Sequence, residues 1–325
     1  MQNSAPRDAP TIVVLGVGGT IAGTAGDAAD VVNYAAGRLR AADLVASLPA
    51  LAAWRLQTEE IARIDSKDID FAVWLRLATS VAYHLDRSDV AGVVVSHGSD
   101  TLEETAYLLQ RVLAPDKPVV LTAAMRPATA LSGDGPRNLL DAVRVAALEG
   151  ARGVVTVLAG TLHGAFEVRK RHPWRLDAFD SGDAGPLGAI DDGAVTLWRP
   201  WPHGTPLGLE MLKRCGTHPP RVCIVTSHGD ADGSVVEALR ARGVDGIVAA
   251  GTGNGTLHAR LEAALAEAEE QGGVRVLRCT RLGGGRVIAT AGDRFEGAGA
   301  LTPGQARIEL LLRLLQEAAA GPAPA

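Results

Sequence analysis

The sequence predicts an α/β protein made of two parallel-sheet domains, a larger one followed by a smaller one. Three observations carry this expectation. Short runs such as residues 11–16 (TIVVLG) and 92–96 (GVVVS) are apolar at nearly every position, the pattern of strands covered on both faces. Longer segments between them repeat their apolar residues near the helical period. One stretch, 198–221, breaks the alternation with Pro200, Pro202, Pro206, Pro219 and Pro220 before it resumes.

The first domain is expected over residues 1–197. Its strands are read at 11–16, 92–96, 118–122 and 153–158, and its helices at 68–85, 102–113 and 136–148. Residues 198–220 form the expected linker. The second domain, 221–325, continues with strand 221–226, helix 235–242, strand 246–250, helix 257–271, strand 274–279 and helix 305–318. The length of 325 residues agrees with two domains at roughly 150 residues each.

Composition narrows the function. Apolar residues make up 47% of the chain, enough for two cores, and the net charge is −5. A nucleic-acid binder would carry a basic face, but the densest basic run, Arg169-Lys170-Arg171-His172, is short and isolated. No stretch reaches the roughly 18 apolar residues of a membrane span. The start, Met1 to Pro10, lacks an apolar core, so no signal peptide is expected. The expected compartment is the cytoplasm, or the periplasm if a leader has been removed. Cys215, Cys223 and Cys279 are scattered and odd in number, which suits semi-buried thiols rather than a disulfide framework or zinc site. The eight histidines show no metal-binding spacing. No metal or cofactor is therefore expected.

Two segments stand out. After the first strand comes Gly16-Val17-Gly18-Gly19-Thr20-Ile21-Ala22-Gly23. A glycine-rich turn at the carboxyl end of a strand is where open α/β sheets bind ligands. It fails the dinucleotide fingerprint, because Ile21 stands where the third glycine belongs, and no phosphate-loop lysine follows. What remains is a tight turn presenting Thr20, either as a nucleophile or as a helix cap. The second segment, 96–105 (SHGSDTLEET), leaves a strand and enters a helix, so by composition alone Ser99 or Asp100 reads first as a helix cap. His97 suggests a Ser–His hydrolase only weakly, since no G-x-S-x-G elbow occurs. Val95-Ser96-His97-Gly98 is echoed by Thr226-Ser227-His228-Gly229, again after a strand. Two similar strand-exit turns explain that echo without a repeat.

Together these segments resemble the bacterial-type asparaginase/glutaminase family. GGTIAG around Thr20 matches its first signature, and residues 97–105 are similar to its second, usually written HGTDTMEET. Asp65-Ser66-Lys67-Asp68, Ala124-Met125-Arg126-Pro127, Ser132-Gly133-Asp134-Gly135-Pro136, Gly185-Pro186-Leu187-Gly188 and Gly251-Thr252-Gly253-Asn254-Gly255 also match, in family order, over essentially the whole chain. The resemblance implies a flavodoxin-like or Rossmann-like N-terminal domain and a smaller C-terminal one. It implies a homotetramer, a dimer of tight dimers, with a mobile lid near residues 24–38. It also implies a small-molecule substrate, with neither nucleic acid nor membrane as partner.

The implied reaction is hydrolysis of a linear amide C–N bond, that of L-asparagine, through a threonine acyl-enzyme. Thr20 matches the nucleophile and Tyr34 the lid tyrosine beside it. Ser99, Asp100 and Lys170 match a second cluster that activates water and relays protons. A lysine suits that place because desolvation can lower its pKa, whereas arginine stays charged. Ser66 and Asp100 match the groups that hold the substrate's carboxylate and ammonium, with Lys67 beside them. Backbone N–H groups near Ser99 and Ala124 fit an oxyanion site.

The chain departs from the pattern at four places. Ser99 replaces the usual threonine, Lys67 replaces a glutamine, Thr256 replaces an asparagine, and 281–297 is short where a neighbouring subunit's acidic residue is expected. These changes lie on the recognition side. A glutaminase-asparaginase or related small-amide hydrolase is therefore one alternative. A catalytically inactive amino-acid-binding protein is another, although binding alone would need neither Thr20 nor Lys170.

Overall fold

The computed structural model describes residues 9–216 and 218–320. The polar start read above lies, through residue 8, outside them. The chain forms two compact units that divide between Leu209 and Glu210.

In the first unit, β1 (Thr11–Gly18), β2 (Arg55–Ile64), β3 (Val90–Ser96), β4 (Val119–Thr122) and β5 (Val154–Leu158) are parallel. Three further strands, β6 (Thr161–Gly164), β9 (Gly188–Asp191) and β10 (Ala194–Leu197), continue the sheet antiparallel. A short hairpin, β7 (Arg169–Lys170) and β8 (Phe179–Asp180), stands apart from the sheet. The sheet order is β10-β9-β6-β5-β4-β3-β1-β2. The sheet is thus parallel over its first five strands, as expected, and continues antiparallel at one edge. Its parallel part runs 2-1-3-4-5, the flavodoxin-like order, whose ligand crevice opens at the carboxyl ends of β1 and β3.

Strand alternation divides the sheet's side chains between two faces. Ile12, Val14, Val94, Val120 and Val155 share one core with α1 (Ala41–Ala46) and α4 (Gly135–Ala146), through Leu44, Leu139 and Val143. Val13, Leu15, Val93, Val95 and Leu121 alternate with them and are also fully buried. α2 (Phe71–Leu85) and α3 (Leu102–Leu113) pack on this sheet as well. Each fully buried Val or Leu contributes about 1.5–3 kcal/mol, so the central strands are firm supports for the loops at their ends.

α5 (Leu209–Arg214) lies inside the segment read as linker. In the second unit β11 (Val222–Thr226), β12 (Gly246–Gly251), β13 (Arg275–Thr280) and β14 (Glu296–Gly297) form a parallel sheet in that order. α6 (Ser234–Ala241) and α7 (Ala259–Gly272) bury Val236, Leu261 and Leu265 against Ile247 and Val276. α8 (Pro303–Ala320) buries Ala306 and Leu310 against Val248 and Leu277. The three cysteines are unpaired thiols, and Cys279 is fully buried, with burial pushing its pKa up to about 12. Among the described residues, no helix is long and apolar enough to cross a membrane.

Candidate active site

The site lies where β1 and β3 end. β1 runs into Gly18 and Gly19, with φ of 108° and 78°, a region that disfavours any side chain. A Cβ on Gly19 would lie 2.2 Å from Gly98 Cα, and one on Gly98 would lie 2.5 Å from Ser66 Oγ. The loops after β1 and β3 therefore touch backbone to backbone, which glycine permits, and the loop after β2 sets the Ser66 side chain against Gly98. Gly19, not Thr20, caps the single 3-10 turn Thr20–Ala22, so the capping alternative for Thr20 does not hold. Instead the buried Thr20 Oγ lies 2.7 Å from the Tyr34 hydroxyl.

Tyr34 arrives on the loop expected to be a lid. Thr24 and Ala35 close its base through paired backbone bonds of 3.0 Å, and the Gly37 N–H donates to Gly19 O at 3.1 Å. Asp30 accepts the N–H groups of Val32 and Asn33, and these bonds, Asn33 first, lower its pKa. The Ala25 N–H donates to Thr129 Oγ at 2.8 Å. Gly23 gives the Tyr34 ring its room, since a Cβ there would lie 2.9 Å from the ring.

On the other side of the Gly19–Gly98 contact, Lys170 Nζ donates to Ser99 Oγ at 2.8 Å and to Asp100 Oδ1 at 2.6 Å. The β7–β8 hairpin carries Lys170, and its N–H donates to Glu103 Oε2 at 2.8 Å. Ser99 is buried, while Asp100 is about half exposed. Neither residue caps α3. That position belongs to Thr101, which makes no side-chain cap bond. Thr101 Oγ instead donates to Ser66 O at 2.9 Å, and the Asp100 N–H donates to Ser66 Oγ at 3.2 Å. Lys67 is held away from a free-cation role: its Nζ donates to Asp68 Oδ2 at 2.5 Å and lies 3.7 Å from Asp65 Oδ2. The Asp68 bond is the main reason its pKa rises.

Ala124 is fully buried in the loop after β4. Two residues that sequence reasoning left without a role hold this loop. Asp134 accepts the N–H groups of Met125 and Arg126 at 2.9 and 3.0 Å, and Asn138 Nδ2 donates to Ala123 O at 2.9 Å. Burial raises the Asp134 pKa, opposed by those two N–H donors. The available signal was an acid before Gly-Pro at a helix start, which reads as an ordinary cap. Its carboxylate reaches across to the β4 loop instead.

His97 is not paired with a serine hydroxyl. Its ring is fully buried, Nδ1 lies 2.7 Å from Gly98 O, and Nε2 lies 3.0 Å from Thr105 Oγ. Burial pushes its pKa down to about 4, against the pull of the Gly98 carbonyl, so it is neutral in the fold.

Two hydroxyls, one beside a phenol and one beside a lysine, meet at the switch point of a flavodoxin-like sheet. That fold and site suit a hydrolase of the acyl-transfer kind, in which a side-chain hydroxyl attacks. Residues 11–202 match the family described as Asparaginase, N-terminal, and residues 221–320 match the Glutaminase/Asparaginase C-terminal domain. The chain belongs to the asparaginase family. It is 37% identical to L-asparaginase 2 of Escherichia coli K12 over 94% of this chain and 89% of that one. It is 35% identical to the glutaminase-asparaginase of Pseudomonas fluorescens biotype A over 93% of this chain and 86% of that one. The solved structure of a probable cytoplasmic L-asparaginase from Campylobacter jejuni superposes with a TM-score of 0.87 at 36% identity, covering 95% of this chain and 96% of that one.

Proposed function

We propose that this protein hydrolyses L-asparagine to L-aspartate and ammonia through an acyl-enzyme on Thr20. The observation that carries the reading is the 2.7 Å contact between Thr20 Oγ and the Tyr34 hydroxyl, with Lys170, Ser99 and Asp100 gathered beside it. Thr20 Oγ attacks the side-chain amide carbon and passes its proton to the Tyr34 oxygen, while Tyr34 releases its own hydroxyl proton toward the amide nitrogen. The tetrahedral oxyanion is met by the N–H of Ser99 and by a backbone N–H beside Ala124. Collapse breaks the C–N bond, and the departing nitrogen takes a proton and leaves as ammonia. Water activated by Ser99 and Lys170 then attacks the ester, which releases aspartate and restores the Thr20 hydroxyl.

Asp100 binds the substrate's α-ammonium with its half-exposed carboxylate. Ser66 binds the α-carboxylate: its oxygen already accepts the Asp100 N–H, which leaves its own proton to donate. Lys67 adds a positive field damped by Asp65 and Asp68. The 35% identity to a glutaminase-asparaginase supports a second reading, in which L-glutamine is also a substrate. A homotetrameric assembly belongs to the same proposal, with sedimentation of the pure protein as its check. So does a cytoplasmic location, which the free thiols support and cell fractionation tests.

The deciding assay measures ammonia release from L-asparagine and L-glutamine by wild type and Thr20→Ala. Asparagine turnover that disappears in the variant supports the proposal. A well-folded wild type that releases ammonia from neither substrate ends it.

A further inference from the structure

Behind the site runs a buried chain of hydrogen bonds that the reaction steps above do not use. Trp74 Nε1 lies 2.9 Å from Thr105 Oγ, Thr105 Oγ lies 3.0 Å from His97 Nε2, and His97 Nδ1 lies 2.7 Å from Gly98 O. Its direction follows from the chemistry of the two ends. An indole N–H only donates, and a carbonyl oxygen only accepts. His97 Nδ1 therefore carries the ring proton, Nε2 accepts from the Thr105 hydroxyl, and that hydroxyl accepts from Trp74. Thr105 and His97 are fully buried and Trp74 is nearly so, which leaves the bonds unscreened by water.

The chain ends on the oxygen of one peptide unit, the one joining Gly98 to Ser99. The other end of that unit is the Ser99 N–H, which no protein group among the described residues accepts. The backbone contact between Gly19 and Gly98 sets this peptide beside Thr20. We infer that the Trp74–Thr105–His97 chain is a positioning and polarising relay, which fixes the Gly98–Ser99 peptide and strengthens its N–H as the oxyanion donor. The inference rests on the acyl-enzyme reading above. Donation into a carbonyl pulls charge from the amide nitrogen and makes its N–H a stronger donor. Loss of a whole oxyanion donor costs on the order of a hundredfold or more in rate, so loss of its polarisation costs about tenfold.

The test uses three variants of the full-length enzyme. Thr105→Val removes the hydroxyl at nearly constant shape, Thr105→Ser keeps it, and Trp74→Phe removes only the indole donor. The relay predicts that Thr105→Val lowers kcat for L-asparagine about tenfold, with KM within about twofold, while Tm falls because the buried Trp74 N–H and His97 Nε2 lose this partner. Thr105→Ser stays within about twofold of wild type, and Trp74→Phe loses about two- to threefold in kcat. Wild-type kcat in Thr105→Val, or a loss in kcat matched by a rise in KM, overturns the inference. Solid-state nitrogen NMR of histidine-labelled wild type supplies a readout independent of both folding of the variants and turnover. A neutral His97 protonated at Nδ1 is expected, and one protonated at Nε2 overturns the relay even if asparagine hydrolysis stands.

Discussion

The chain uses the tripeptide Ser-His-Gly twice, after β3 and after β11, and the two turns begin alike. In each, the histidine Nδ1 meets the carbonyl of the next glycine, at 2.7 Å for His97 and 2.8 Å for His228. There the likeness ends. His97 is sealed in the core and backed by Thr105 and Trp74, whereas His228 is exposed. After Gly98 comes the buried Ser99, bonded to Lys170. After Gly229 comes Asp230, exposed, left-handed at φ 60° and paired with Arg260. The sequence local to a strand exit sets the shape of the turn. What stands behind it and across from it decides whether the turn becomes a reaction centre.

Experiments can widen or erase that contrast. The largest expected effect is on the partner that only the first turn has. Lys170→Met leaves Ser99 without the lysine that donates to its hydroxyl, and kcat for L-asparagine should fall about a thousandfold, with circular dichroism unchanged. Next come the two glycines. A Cβ on Gly98 would press on Ser66 at 2.5 Å, whereas one on Gly229 would meet nothing within 4 Å. Gly98→Ala should cost about 1–3 kcal/mol in denaturant unfolding and most of the activity. Gly229→Ala should match wild type in both. Equal effects of the two substitutions would erase the distinction.

A third effect, on stability rather than on turnover, is set by pH. Burial holds His97 and His163 neutral, with both pKa values down at about 4. In the unfolded chain each returns to about 6.5, so between those values the unfolded state binds more protons. Their contribution is complete above about pH 6.5 and is lost as pH falls toward about 4, on the order of 3 kcal/mol for each. Calorimetry should show Tm falling across that window, and a flat profile would contradict neutral buried imidazoles. The smallest effect is at Ser99. Restoring the methyl with Ser99→Thr limits the hydroxyl's rotamers, and kcat should change about two- to fivefold, read by ammonia release.

Much of this was legible in the sequence. The helix read at 102–113 is Leu102–Leu113, and the buried strands fall within two residues of their expected bounds, because uninterrupted Val and Leu runs leave little choice. β2 escaped notice because it is a sheet edge: RLQTEEIARI is mostly half-exposed and carries charges where a central strand would not. The antiparallel strands β6, β9 and β10 have four residues each, too short to show a period. Thr20, Tyr34, Ser99, Asp100 and Lys170 stand out in the sequence as motif matches, whereas the contacts among them do not. Lys170 reaches Ser99 from 71 positions away, and no local pattern encodes such a contact. Thr105 was invisible for another reason. A threonine inside a helix normally bonds its own backbone, and only the fold shows that it faces His97.

The most direct test of the contrast is to trap the acyl-enzyme. Enzyme mixed with L-asparagine, quenched in acid during turnover and digested, is mapped by mass spectrometry. An aspartyl ester on the peptide that contains Thr20, absent from the peptides with Ser99 and Ser227, is the predicted result. Turnover with the adduct on either serine peptide, or with no adduct even in Lys170→Met where its hydrolysis is slowed, would contradict the assignment of Thr20 as nucleophile.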